Sequence, residues 1–172
     1  MQGRSPIVTL SVLTIVLACS PPKSYPVPDN ARNPIEIRFR GATAPDVVSM
    51  VATVCSDNGL PTLQVVPGGY VETVWVDIAE WEFLNARNYP AVEREVQYRF
   101  EVAEGEQGVR TLSIATYYQP SRPPRTGPQA SSFYDRFVPT DHPGYRLALR
   151  LADAIRLEMT EARVRLVREE QQ

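Results

Sequence analysis

Residues 92–102 read VEREVQYRFEV and have the cleanest alternation of apolar and polar residues in the chain. The apolar positions are Val92, Val96, Tyr98, Phe100 and Val102, and the polar ones are Glu93, Glu95, Gln97, Arg99 and Glu101. Because successive side chains of a strand point to opposite faces of the sheet, this pattern predicts a strand with one buried face. A polar second face is typical of an antiparallel sheet that is open to water or to a partner on that side.

The residues after this strand predict its antiparallel neighbour. Residues 104–108 read EGEQG, which is a glycine-bearing loop of hairpin length. Residues 109–118 then resume a strand pattern with Leu112, Ile114 and Tyr118. The chain therefore contains a predicted β-hairpin between residues 92 and 118.

The residues before this hairpin predict a strand, a helix and two further strands. Residues 35–40 alternate strictly, with Ile35, Ile37 and Phe39 on one face. Thr43 and Asp46 have the spacing of a capping box, and the apolar residues that follow recur at helical spacing up to Asn58-Gly59. Strands are predicted over residues 62–66 and 70–78, on either side of the Pro67-Gly68-Gly69 turn.

A final helix is predicted to begin at a cap near Asp141. Its apolar stripe repeats every three or four residues: Tyr145, Ala148, Ala152, Ile155, Met159, Ala162 and Leu166. Beyond Thr160 the residues become charged, so we expect this end to project into solvent. The elements together predict a two-layer α+β fold, with about five mostly antiparallel strands against two helices in the order β-α-β-β-β-β-α. Trp75, Phe100 and Ile155 should be buried where the sheet meets the last helix.

The first predicted helix and the strands around it resemble a known family. The step Gly59-Leu60-Pro61-Thr62, followed by the strand Gly69-Tyr70-Val71-Glu72-Thr73-Val74-Trp75, is similar to the repeating domain of BamC-type outer-membrane lipoproteins. The resemblance covers roughly residues 35–118 and implies a helix-grip arrangement, in which a curved sheet holds a long helix. BamC-type proteins usually carry two such domains, whereas this chain has room for one.

The amino terminus has the pattern of an export signal. Arg4 is the only charge before Lys23, and residues 7–18 form an apolar run of 12 residues. This run is too short to span a bilayer core, which needs about 20 helical residues, and it is typical of a secretory signal peptide. The end of the run, Val16-Leu17-Ala18-Cys19, resembles the lipobox of bacterial lipoproteins, which implies cleavage before Cys19 and lipid on its thiol. The alternative is a buried amino-terminal helix with an incidental cysteine.

The lipobox resemblance sets the expected organisation of the chain. Ser20 stands where an aspartate commonly retains such proteins at the inner membrane, so the resemblance favours the outer membrane, facing the periplasm. Residues 1–18 are then the signal peptide, residues 19–34 a proline-rich tether, and residues 35–168 one domain with a proline-rich loop at 119–140. Cys55 would be the remaining cysteine, and its place in a predicted helix favours a buried core residue over a reactive thiol.

The proline-rich loop carries the candidate binding residues. It contains Phe133-Tyr134-Asp135-Arg136-Phe137, and aromatic residues and arginine dominate binding hot spots. We therefore predict Phe133, Tyr134, Arg136 and Phe137 as partner-binding residues. The alternative is that these aromatic side chains fold back over the sheet and are buried there.

Composition argues against several functional classes. A net charge of −2 does not favour nucleic-acid binding. One histidine and two cysteines leave little material for a zinc site or a Ser-His-Asp triad. His142, beside Pro143, is expected to be a surface or capping residue, and the acidic residues Asp77, Glu80 and Glu82 to be solvated. We therefore expect no enzyme, no metal and no cofactor.

Two functions remain open. One is a non-catalytic, lipid-anchored interaction module that binds an envelope protein and assists envelope assembly. The other is a carrier that holds an apolar small molecule between the sheet and the last helix. A cavity above roughly 300 Å³ lined by inward-facing residues would favour the carrier. A filled core with an exposed apolar patch would favour the interaction module.

Overall fold

The first strand, β1 (Ile35–Arg40), has the alternation that its sequence predicts. Ile35, Ile37 and Phe39 are buried, and the residues after each of them are exposed. The strand belongs to a computed structural model that describes residues 27–118 and 136–167, apart from the side chains of Val92 and Arg136. The predicted signal peptide, Cys19, Phe133 and Tyr134 lie outside the described residues.

The first helix, α1 (Ala44–Asp57), begins at the predicted capping box. The Thr43 backbone N–H donates to the Asp46 carboxylate at 3.0 Å, and the Asp46 N–H donates to the Thr43 hydroxyl. These two bonds satisfy donors that a helix start otherwise leaves unpaired. The helix ends at Asn58, where Gly59 takes the left-handed conformation with φ +71°. The predicted helix and both of its ends are confirmed.

The strands of the described residues form one antiparallel sheet. After β1 they are β2 (Thr62–Val66), β3 (Tyr70–Thr73), β4 (Val76–Asp77), β5 (Glu95–Glu104), β6 (Arg110–Tyr118), β7 (Arg136–Phe137) and β8 (Arg165–Leu166). Their order across the sheet is β2-β3-β5-β6-β1-β8, with β4 beside β5 and β7 beside β6. Five of these strands have four or more residues, which matches the predicted number. The predicted hairpin is the pair β5 and β6, where Phe100 lies opposite Ile114.

Two helices cover one face of this sheet. Helix α1 packs on β2, β3 and β5, and helix α3 (Pro143–Glu161) packs on β6 and β1 and against α1. A single hydrophobic core fills the space between the layers and includes Phe39, Val51, Tyr98, Phe100, Leu112, Ile114, Leu151 and Ile155. The remaining helix, α2 (Ala91–Arg94), is a single turn before β5. The predicted two-layer α+β fold is confirmed.

A bulge in the strand opposite β5 changes two sequence predictions. Val71 pairs with Phe100, and Val76 pairs with Val96. The chain therefore advances by five residues from β3 to β4 while β5 advances by four. The extra residue interrupts the predicted strand 70–78 between β3 and β4. It also interrupts the alternation of side chains, and Trp75 is half-buried rather than a core residue. The predictions of one continuous strand and of a buried Trp75 are therefore wrong.

Gln97 forms hydrogen bonds across the same bulge. The prediction that Gln97 is exposed to water is wrong, because its residue is only 2% exposed. Its side-chain amide donates to the Thr73 carbonyl at 3.0 Å, and the Tyr98 N–H donates to the Thr73 hydroxyl at 3.0 Å. Thr73 and Gln97 thus replace ladder bonds that the bulge removes. The strand prediction was also too long at its start, because residues 91–94 form α2.

Both ends of α3 differ from the prediction. Its cap is His142 rather than Asp141, and His142 Nδ1 accepts a hydrogen bond from the Gly144 N–H at 3.0 Å. At the other end, Arg163 has φ +61°, and Val164 is buried. The chain then returns to the sheet as β8, where Leu166 lies opposite Phe39. The expected projection into solvent beyond Thr160 is wrong over residues 161–167, because the burial of Val164 and the pairing of β8 hold this segment on the domain.

Candidate partner-binding surface

The last residues of the predicted binding segment form part of the sheet. Arg136 and Phe137 make β7, opposite Tyr118 and Tyr117 of β6. The Val138 N–H then donates to the Thr116 carbonyl at 2.9 Å. The expectation of irregular structure throughout residues 119–140 is therefore wrong at this point. Residues 136–138 contain no proline, so their backbone N–H groups are free to pair with β6.

Phe137 presents a half-exposed aromatic ring on the sheet. Its residue is 49% exposed, and its ring stacks on Tyr117 with centroids 5.1 Å apart and an interplanar angle of 24°. Directly opposed residues of two antiparallel strands share a face, so both rings lie on the same side of the sheet. Phe100 and Ile114, which point into the core, define the other side. Phe137 and Tyr117 therefore lie on the face that the helices leave open.

An ion pair continues this surface toward β3. The Arg99 guanidinium carbon lies 4.5 Å from the centre of the Tyr117 ring, and Arg99 Nε donates to Glu72 Oε1 at 3.0 Å. We call these four residues, Glu72, Arg99, Tyr117 and Phe137, the open-face ladder. Its ion pair is largely buried, with 28% of the Arg99 side chain and 13% of the Glu72 side chain exposed. The ion pair, the cation–π contact and the ring stacking together hold the side chains of Glu72, Arg99 and Tyr117 in fixed rotamers next to Phe137.

Tyr70 lies beside this ladder. Burial, and then the negative charge of Glu72, raise the pKa of the Tyr70 phenol, while the positive charge of Arg99 opposes this. Tyr70 therefore remains a neutral phenol at physiological pH. Tyr70 therefore adds an aromatic ring, but no charge, to the surface next to the ladder.

Asn33 joins three segments next to the ladder. Its side-chain amide donates to the carbonyls of Thr116 and Val138, both at 2.9 Å, and its oxygen accepts from the Thr116 N–H at 3.1 Å. Nearby, the Tyr145 hydroxyl donates to the Arg32 carbonyl at 2.9 Å. The residues that precede β1 are thus bound to β6 and to the residue that follows β7. The amino-terminal segment enters the domain beside Phe137.

The sequence predictions missed most of this surface. Tyr117 and Arg99 occupy positions of their strands that point away from the core. An aromatic residue and a cation at such positions were the features of the sequence that could have indicated this surface. Asn33 gave no signal, because its role depends on contacts with residues more than 80 positions away. Of the predicted binding residues, Phe137 lies on the surface. Arg136 is placed by its backbone, and Phe133 and Tyr134 lie outside the described residues.

The titratable residues considered in the sequence have structural contacts. His142 is buried, its ring meets the Tyr89 ring edge to face at 5.2 Å, and burial lowers its pKa against smaller contributions from Glu93 and Asp141. Asp77 accepts from the Ala79 N–H and pairs with Arg94 at 3.2 Å. Cys55 is a buried core residue, and its burial raises the pKa of its thiol to about 12.

A small pocket lies within the connection between β4 and α2. It has a volume of about 140 Å³ and is lined by Ala79, Trp81, Glu82, Asn85, Ala86 and Arg87, all from the connection between β4 and α2. Ligand sites for small molecules typically occupy roughly 300–1,000 Å³. This pocket is therefore too small, and in the wrong place, for the predicted carrier.

Comparisons with protein-family models and with curated proteins find no relative: no protein-family model matches the chain, and no curated protein matches it. Within residues 27–118 and 136–167, no group of three or more histidine, cysteine or acidic side chains is placed to hold a metal ion. No helix of that part of the chain has both the length and the apolar character needed to cross a membrane.

Proposed function

We propose that this protein is a non-catalytic interaction module of the bacterial envelope. Lipid on Cys19 anchors it to the outer membrane, facing the periplasm, and the segment 133–137 together with the open-face ladder binds an envelope protein. The observation that carries the proposal is the junction at Asn33. This side chain bonds both Thr116 of β6 and Val138, which follows the binding segment.

The junction supports a fixed relation between anchor and binding surface. Thirteen residues lie between Cys19 and Asn33, which makes fourteen steps along the chain. A fully extended chain covers at most about 3.5 Å per residue, so this tether reaches about 50 Å. Because Asn33 is bound beside Phe137, the same limit applies to the binding surface. A partner must therefore present its site within that distance of the lipid surface.

The open-face ladder supports binding at low entropic cost. Phe137 already has a backbone partner in β6 and a stacked ring beneath it. A side chain that is ordered before binding loses less conformational freedom when a partner covers it. The free part of its ring remains available as an aromatic anchor, a residue type that often dominates the energy of an interface.

The filled interior supports this function over the carrier. Tyr98, Phe100, Leu112, Ile114, Leu151 and Ile155 occupy the layer between sheet and helices and are at most 1% exposed. The Tyr98 hydroxyl also donates to the Gly144 carbonyl at 2.9 Å, which ties β5 to the start of α3. An apolar ligand would have to displace these side chains before it could bind there.

The experiment compares two exposed apolar residues in the full-length protein. Envelopes that contain Phe137→Ala or Leu157→Ala are cross-linked mildly, and the protein is recovered with its partners. Leu157 is 59% exposed on α3, so its variant is a matched control. We expect Phe137→Ala to lose the recovered partner and Leu157→Ala to keep it, with both proteins still folded at the temperature of the experiment. Equal recovery by the two variants would contradict the proposal.

A further inference from the structure

The open face of the sheet carries three exposed arginines in addition to the open-face ladder. Arg38 and Arg40 belong to β1, where exposed residues alternate with buried core residues. Arg165 of β8 is exposed and lies directly opposite Arg40. Because directly opposed residues share a face, Arg165 is on the same side of the sheet as Arg40, away from the helices. We call Arg38, Arg40 and Arg165 the arginine cluster.

The arginine cluster has no ion-pair partner in the part of the chain that the structure describes. Of the ion pairs within residues 27–118 and 136–167, none includes a member of the cluster. Arg110 of the neighbouring strand β6 differs, because its Nε lies 2.7 Å from Glu104 Oε1. Like charges directly opposite each other destabilise an antiparallel pair of strands, so Arg40 and Arg165 face each other at an energetic cost. An anionic group from outside the chain would turn this repulsion into attraction.

A row of acidic residues separates the arginine cluster from the open-face ladder. Glu36 of β1 and Glu101 of β5 both lie opposite Ser113 of β6, one on each side. Both glutamates are exposed. Arg38 lies opposite Thr111, two residues further along β6 from the ladder. The open face therefore presents aromatic rings, then negative charge, then positive charge.

We propose that the arginine cluster binds the carboxylates of an acidic segment on the same protein partner that contacts Phe137. This assignment rests on the proposed function and adds the chemistry of the partner. Guanidinium groups suit a carboxylate because they donate two parallel N–H bonds to its oxygens. Six steps along β6 separate Thr111 from Tyr117, which corresponds to about 20 Å in an extended strand. The acidic segment therefore lies about that far from the part of the partner that covers Phe137.

The acidic row favours a protein over an anionic membrane as the occupant. A lipid surface presents negative charge evenly, so it would bring phosphates against Glu36 and Glu101 as well as against the arginine cluster. Like charges brought together across an interface cost free energy and exclude wrong partners. A protein can place a cation opposite the acidic row and carboxylates opposite the cluster. The order of charges along the open face is therefore complementary to a protein of matching order.

The exposure of the arginine cluster determines what its contacts contribute. Exposed ion pairs stabilise a complex only modestly, and salt screens them. Complementary charges increase the rate of association and fix the register of the two surfaces. We therefore expect the cluster to orient the partner on the open face, with Phe137 as the aromatic anchor of the same interface.

Photo-cross-linking from position 111 tests whether an acidic segment lies against the cluster. Thr111 is partly exposed and lies opposite Arg38, so a photoreactive amino acid there reaches whatever contacts the cluster. The full-length chain is irradiated in intact cells, beside chains that carry the same amino acid at position 137 or 157. We expect positions 111 and 137 to yield the same partner protein, with residue 111 joined to a peptide rich in aspartate and glutamate. Mass spectrometry identifies this peptide. An adduct with lipid, or with a peptide that has no excess of acidic residues, overturns the proposal.

Position 137 keeps this test separate from the test of the proposed function. A partner adduct from position 137 without one from position 111 overturns the assignment of the arginine cluster and leaves the proposed function standing. The absence of an adduct from position 137 in a folded and anchored chain contradicts the proposed function, and the assignment of the cluster with it.

Two double variants test the role of charge in the chain that carries the photoreactive amino acid at position 111. Arg40→Gln with Arg165→Gln removes the opposed pair, and Arg87→Gln with Arg156→Gln removes the same charge from two ion-paired positions elsewhere. We expect the first variant to lower the adduct by about fivefold or more and the second to leave it unchanged. The melting temperature of the first should stay equal or rise, because opposed like charges are removed. Equal adducts from both double variants, or a loss that follows a lower melting temperature, overturn the proposal.

Discussion

Phe137 stacks on Tyr117 with ring centroids 5.1 Å apart, and about half of the Phe137 residue remains exposed. The sequence left two alternatives for the aromatic segment, docking on a partner or burial against the sheet. At Phe137 the burial alternative holds only in part, because the ring stacks on Tyr117 while the residue is still 49% exposed, and docking on a partner stays a prediction. A ring that is positioned by the fold and remains accessible is suited to binding.

Truncating Phe100 should destabilise the domain strongly. Phe100 is 1% exposed between the sheet and the helices, and Phe→Ala in a packed core typically costs about 3–5 kcal/mol. Denaturant unfolding of Phe100→Ala and of the exposed control Leu157→Ala measures this. A loss below about 1 kcal/mol for Phe100→Ala would mean that this face of β5 is not in the core.

Removing the Thr73 hydroxyl should lower the free energy of unfolding, because this hydroxyl accepts a hydrogen bond at the bulge. Thr73→Val keeps the shape of the side chain and removes the hydroxyl that accepts from the Tyr98 N–H. A buried donor left without an acceptor costs about 1–3 kcal/mol. Thr62→Val, at an exposed position in β2, is the matched control and should change the free energy of unfolding little. Equal effects of the two substitutions would show that the Thr73 bond does not stabilise the bulge.

The stability of the domain should fall at mildly acidic pH because of His142. Burial lowers the pKa of His142 below its ordinary value of 6.5, so the folded state favours the neutral imidazole. The stabilisation is present above pH 6.5 and is lost as the pH falls from 6.5 through the lowered pKa. His142 Nδ1 accepts from Gly144, so protonation at that atom would also break the cap.

His142→Asn provides the control for this pH effect. Asparagine is a strong helix cap and does not titrate in this range. Melting temperatures of both proteins between pH 7.5 and 5 should diverge, with the natural chain losing more. Parallel melting curves across that range would show that His142 does not cause the loss.

Lipidation of Cys19 should determine membrane attachment. We expect the mature protein to begin at Cys19 with acyl groups, and Cys19→Ser to be released or left uncut. Metabolic labelling with a radioactive fatty acid and intact-mass analysis measure this, with Cys55→Ala as the control because Cys55 is buried in the core. An unlipidated natural chain that still begins at Met1 would contradict the anchor.

Local patterns were sufficient for most of the fold. The alternation of β1 and the capping box of α1 depend on neighbouring residues, so the sequence predicts both correctly. Gln97 and Thr73 were harder, because a bulge exchanges ladder bonds for side-chain bonds between residues 24 positions apart. β8 was missed because its charged sequence continues a helical pattern, and its pairing depends on Phe39 of the first strand.

The candidate surface could be predicted only in part. The composition of residues 133–137 identified an aromatic segment, and Phe137 does lie on an exposed face. Its supports, Tyr117 and Arg99, are recognised only once β5, β6 and β7 are in register. Asn33 illustrates the limit most clearly, since its three hydrogen bonds all reach residues that are distant in sequence.

Photo-cross-linking from position 137 tests the proposed binding surface most directly. A photoreactive amino acid replaces Phe137, or Leu157 as the control, in the full-length chain inside intact cells. We predict one discrete cross-linked adduct from position 137, absent from position 157 and reduced when Cys19→Ser removes the anchor. The same adducts from both positions, or none from position 137 in a folded and anchored protein, would contradict the account.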